Sequence, residues 1–120
     1  MKHLALRVRD LEKSIEFNET VTELMVVRRF KSGPGEVAFL SNVPGATEIE
    51  LISWPEQQCF EGKGMFLCFA TDKLDEMHKL VQDKGLNPSP IQNPDPETRY
   101  FYVYDPDGVS VQLRWYPEEE

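Results

Sequence analysis

YFYVYDPDGVSVQLRWYP, Tyr100–Pro117, reads as two strands joined by a tight turn at Asp105–Gly108. Its last part has an echo earlier in the chain. EIELISWP, Glu48–Pro55, matches VSVQLRWYP with Pro55 over Pro117, and Glu50 over Gln112 at a spacing of 62. Further outward, His3, Leu4, Leu6 and Leu11 recur 63 positions later as Phe66, Leu67, Phe69 and Leu74, and Phe39 recurs as Tyr102. One such register could arise by chance. Several in order along the chain argue for an internal duplication.

Each copy has the same plan. HLALRV alternates, with Leu4, Leu6 and Val8 on one face and His3, Ala5 and Arg7 on the other, as a half-buried strand does. Asp10 stands where a helix N-cap belongs. Leu11, Ile15, Phe17, Val21 and Leu24 form the buried stripe of a helix expected over about Leu11–Leu24. MVVRRF, EVAFLS and TEIELIS read as three strands separated by the turn clusters SGPG and NVPGA. After the polar connector EQQCFEGKG the order restarts. MFLCFAT is a strand and Asp72 the expected N-cap. Leu74, Met77, His78 and Val81 mark a helix that Gly85 ends. Pro88 and Pro90 leave room for only a short edge strand before RYFYVY. PEEE reads as a solvated tail.

The 120 residues suffice for one domain with an ordinary core. Lys and Arg number 13 against 21 Asp and Glu, a formal net charge of −8, which argues against nucleic acid and anionic membrane as partners. No apolar run reaches the length of a membrane span, and charge at Arg7, Arg9 and Asp10 interrupts any signal-peptide core. Cys59 and Cys68 form no CxxC pair. That usage suggests a reducing cytosol, and with no base nearby in sequence both thiols read as inert.

HLALRVRDLEKSIEF, EIELIS and YFYVYDPDGVSVQL together resemble the glyoxalase I, bleomycin-resistance and extradiol dioxygenase superfamily, the vicinal oxygen chelate proteins, over roughly His3–Tyr116. The resemblance implies an α+β fold. Two βαβββ modules, residues 1–55 and 62–117 of a single domain, would form a curled, cup-like mixed sheet with helices outside. It also implies four metal-ligand positions, commonly His, Glu, His, Glu. Here they are His3, Glu50, Phe66 and Gln112, and alternation directs all four into the cup.

His3 and Glu50 suit a divalent ion such as Zn, Ni, Co or Mn, and Gln112 offers a weaker amide oxygen. Phe66 cannot ligate. The family's principal base, the second-module glutamate, is Gln112 here, so Glu50 would serve as ligand and catalytic base together. Arg7 matches a family arginine that meets a carboxylate of glutathione. Trp54 replaces a glutathione-contacting asparagine, and Phe66 and Trp54 become ligand-facing aromatic surface.

Plainer readings stand beside these. Glu50 could pair with Arg7 inside the cup, Gln112 could be a satisfied core amide, and Tyr100, Tyr102 and Tyr104 could be ordinary sheet packing. His78 reads as the boundary of its helix stripe. Two functions are therefore expected as alternatives. One is a glyoxalase-I-like (lactoylglutathione-lyase-family) metalloenzyme acting on a small oxygenated substrate. The other is a metal-free binding or sequestering protein of the bleomycin-resistance type. The resemblance further implies a homodimer.

Overall fold

A computed structural model describes residues 1–55 and 64–117; most of the polar connector, Cys59 within it, and the three glutamates of the tail lie outside the described residues. The chain folds as two units, Met1–Glu61 and Gly62–Glu120. The first runs β1 (His3–Arg7), α1 (Leu11–Phe17), β2 (Met25–Ser32), β3 (Gly35–Ser41) and β4 (Glu48–Ser53). The second runs β5 (Phe66–Ala70), α2 (Leu74–Asp83), β6 (Gln92–Asp95), β7 (Thr98–Tyr104) and β8 (Ser110–Trp115). Both sheets have four strands in the same order, β1-β4-β3-β2 and β5-β8-β7-β6. In each, the first strand lies parallel to the last and the others pair antiparallel. The expected α+β architecture of two βαβββ modules is what forms.

Alternation sorts the two faces of each sheet. In the first unit Leu6, Ala38, Leu40, Ile49 and Leu51 are buried together with Leu11, Ile15 and Phe17 of α1. In the second, Phe101, Val103, Val111 and Leu113 are buried with Leu74, Met77 and Val81 of α2. Each large side chain so buried contributes about 1.5–3 kcal/mol. The polar and aromatic residues of the site stand at the alternate positions.

Asp10 caps α1 as expected, its carboxylate accepting the Lys13 N–H at 3.1 Å. The helix then departs from expectation. It ends at Phe17, and a wider π-type turn over Asn18–Thr22 follows, closed by Glu23 at φ 61°. The Asn18 amide donates to the Ser14 carbonyl at 2.9 Å, and the Thr22 hydroxyl to the Asn18 carbonyl at 2.7 Å. Such side-chain bonds compete with the helical ladder. The stripe survives the change, since Val21 and Leu24 remain buried.

Lys73, not Asp72, is the cap residue of α2. No side chain caps that helix, and the Lys73 N–H bonds instead to the Thr71 hydroxyl at 3.1 Å. Gly85 takes φ +75° just beyond the C-cap, where a residue with a Cβ would be strained. His78 donates from Nε2 to the Ser89 carbonyl at 2.8 Å and sets its ring edge-on to Phe101, tying α2 to the segment before β6.

Candidate functional site

In the first unit β1 and β4 run parallel with Ala5 opposite Glu50, and β3 places Phe39 opposite Glu50 from the other side. His3 and Glu50 therefore reach the same place. His3 Nε2 lies 3.2 Å from Glu50 Oε1, with the imidazole side chain 42% and the carboxylate 17% exposed. Phe39 meets His3 edge-on at 5.5 Å between ring centroids. The Arg28 guanidinium lies 4.3 Å above the Phe39 ring and reaches Glu48 with bonds of 2.6 and 3.2 Å. Those bonds hold the Glu48 carboxyl below its usual range.

Arg7 is exposed and opposite Ile52, and it is His3 rather than Arg7 that reaches Glu50. The plain reading of an Arg7–Glu50 ion pair is corrected: the parallel register sets Glu50 between Phe39 and Ala5, within reach of His3 at the start of β1. Trp54 is 37% exposed and lies against the β2–β3 turn. With Val8, Arg9, Lys31, Pro34 and Glu36 it lines a cavity of about 630 Å³.

The second unit repeats this layout with different chemistry. Tyr102 stands opposite Gln112 as Phe39 stands opposite Glu50. Phe66 meets Tyr102 edge-on at 5.4 Å, nearly the geometry of His3 on Phe39. The Gln112 amide, only 4% exposed, donates to the Tyr102 hydroxyl at 3.1 Å. Tyr102 in turn meets Tyr100 edge-on at 5.7 Å. Tyr104 is 64% exposed. Cys68 is exposed with its sulfur 3.9 Å from the Tyr116 hydroxyl.

The duplicated positions thus carry a polar pair in one unit and an aromatic–amide network in the other. An imidazole and a carboxylate are donor types that divalent ions accept, and a catalytic zinc site keeps three protein ligands. Among the described residues no three His, Cys, Asp or Glu side chains group to hold an ion. The described residues of the first unit alone therefore supply two such donors and no third.

The family model described as Glyoxalase/Bleomycin resistance protein/Dioxygenase superfamily matches residues 1–113. Among the curated proteins none matches this sequence. Among solved structures, the antibiotic-binding protein TnmS3 from Streptomyces sp. CB03234 superposes with a TM-score of 0.78 at 21% identity, covering 98% of this chain and 95% of that one. The trypanothione-dependent glyoxalase I of Leishmania major gives 0.76 at 23%, covering 94% and 84%. The fosfomycin resistance protein FosX from Listeria monocytogenes, solved with Mn(II) as its E126Q mutant, gives 0.75 at 19%, covering 94% and 89%. At these identities the likeness is one of fold.

Proposed function

This chain belongs to the Glyoxalase/Bleomycin resistance protein/Dioxygenase superfamily, and on that premise we propose that it is a small-molecule-binding protein that holds a planar organic ligand, without a metal. One observation carries the reading. The Gln112 amide is engaged by Tyr102 while Phe66, 49% exposed, meets the same ring edge-on. A position set that would offer donors to an ion offers instead a satisfied amide and open aromatic surface. Aromatic faces of this kind favour flat ligands through edge and offset stacking.

A thermal-unfolding screen of the full chain against planar aromatic compounds tests it. A ligand present at 100 times its dissociation constant adds about 2.7 kcal/mol of stability. An upward shift with at least one such compound, reduced in Phe66→Ala, is the expected result. No shift with any of them refutes the reading.

A second reading is favoured by the His3–Glu50 contact at 3.2 Å. In it the protein is a glyoxalase-I-like enzyme in which Glu50 moves a proton on a small oxygenated substrate, beside His3. A divalent ion would supply Lewis-acid stabilisation of developing negative charge. Metal analysis of protein purified without chelator separates the two readings. Substoichiometric ion is expected. Near-stoichiometric ion that disappears in His3→Ala would transfer the conclusion to the enzyme.

Pairing of two copies is supported by the edge strand β2, which exposes Met25, Val27 and Phe30 at 66%, 49% and 47%. Sedimentation velocity is expected to show a dimer that Phe30→Lys weakens. A monomer at all concentrations would remove it.

A further inference from the structure

Arg114 differs from Arg28, Arg29 and Arg99 in how its charge is met. Arg28 pairs with Glu48, Arg29 with Glu12 and Glu36, and Arg99 with Asp75. Arg114 makes no ion pair among the described residues, and its Nε is buried without a hydrogen-bond partner. Leaving a charged group's N–H buried and unpaired costs free energy that ordinary strand packing does not return.

The side chain is nonetheless held in place. Its guanidinium carbon lies 5.9 Å from the Tyr100 ring and 5.1 Å from the Tyr116 ring, both within cation–π range. Register sets Arg114 opposite Tyr100 on β7 and Ala70 on β5. Arg114 also borders a cavity of about 620 Å³ with Asp95, Pro96, Glu97, Thr98 and Pro117. From Tyr100 the aromatic row continues to Tyr102 and Phe66.

We propose that the second unit binds a flat aromatic monocarboxylate, its carboxylate on the Arg114 guanidinium and its ring against the tyrosines. The inference rests on the small-molecule-binding reading and names the ligand class for it. A planar guanidinium matches a carboxylate with two parallel N–H bonds. Because Nε is covered, the two terminal Nη groups make them. Asp95 and Glu97 in the same cavity, and a net charge of −8 on the chain, select against phosphates and polyanions. A single carboxylate, which Arg114 can neutralise charge for charge, meets less of that repulsion than a polyanion does.

Calorimetric titration of the full chain with 2-naphthoate and its neutral counterpart 2-naphthamide tests the inference. The wild type is expected to prefer the carboxylate by about tenfold or more. Arg114→Gln is expected to erase that preference while retaining residual binding of the ring. Should Arg114→Gln fail the thermal-unfolding check of its fold, Arg114→Lys carries the test. It keeps the charge but loses the fork, and its preference should fall by about threefold or more. Equal affinity for the two compounds in the wild type overturns the inference and leaves the binding reading standing. So does an unchanged preference in a folded Arg114 variant. Absence of naphthoate binding overturns it too, and the wider aromatic screen then decides the binding reading separately.

Discussion

Replacing Asp105 by alanine is expected to destabilise the protein by about 2–4 kcal/mol, a fall in Tm on the order of 10 °C. Asp105 is 8% exposed, and one carboxylate oxygen accepts both the Asp107 N–H at 2.9 Å and the Val109 N–H at 2.8 Å. The backbone closes the same turn, with Asp105 N–H donating to the Val109 carbonyl and Gly108 N–H to that of Asp105. Alanine would leave two donors without an acceptor next to β8, the strand that carries Gln112 and Arg114. Asp105→Asn keeps an acceptor oxygen and should recover most of the loss. Thermal and urea unfolding of both variants measure this. An alanine variant as stable as wild type would contradict it.

The asparagine variant also separates charge from geometry. Burial raises the Asp105 carboxyl pKa, more than the hydrogen bonds from Val109 and Asp107 lower it. The folded protein therefore holds that proton more tightly than the unfolded chain does. This contribution to stability is complete below the unfolded value, about 3.9, and is lost as pH rises through the raised folded one. Relative to Asp105→Asn, the wild type should lose stability across that window and run parallel above it. Glu36, Glu48 and Asp75 act oppositely: arginine bonds lower their pKa values, so their contribution is present above the unfolded values and fades as pH falls. All three are on the surface, so salt should weaken their share.

Gly35→Ala should cost about 3 kcal/mol and displace Trp54. A Cβ on Gly35 would stand 2.3 Å from the Ser53 carbonyl oxygen and 2.4 Å from Trp54 Cδ1. The first contact is backbone within the β3–β4 ladder, where Glu36 pairs with Ser53. It can be relieved only by opening that pairing. Loss of stability together with a changed tryptophan emission is the expected result, and the cavity beside Trp54 would change shape with it. Gly33 provides the contrast. Its φ of +57° disfavours a side chain, yet the nearest atom to its Cβ is the tip of the Trp54 ring at 3.3 Å. Gly33→Ala should therefore cost only about 1 kcal/mol, from backbone strain. Equal effects at the two glycines would mean that Trp54 does not bear on Gly35.

Strands and faces were legible in the sequence because a strand's side-chain period is two, so a single line of residues states which face each one takes. The shared face of His3 and Glu50 follows from that rule, and the repeat, at spacings of 63 and 62, carries it to Phe66 and Gln112. The end of α1 was less legible. Leu11–Leu24 keeps a helical stripe throughout, while the bonds that break the ladder come from Ser14, Asn18 and Thr22, whose polar groups leave the apolar pattern untouched. Arg114 was open to the same parity argument as Gln112, two positions before it. What parity lacks is any measure of whether an inward arginine has found a counter-ion.

The amino-acid sequence by itself determined the duplicated βαβββ plan, the buried faces, and the register that sets Phe66 and Gln112 of the second copy over His3 and Glu50 of the first. Periodicity and repeat spacing are properties of the chain, so no coordinates are needed to read them. Only the tertiary structure decided the partners: Glu50 to His3 instead of Arg7, Gln112 to Tyr102, Trp54 to the Gly33–Gly35 turn, and Arg114 to two tyrosines and, among the described residues, no acid. Hydrogen bonds and ion pairs act over a few ångströms, and cross-strand register and side-chain rotamers, which no one-dimensional pattern encodes, set which groups come that close.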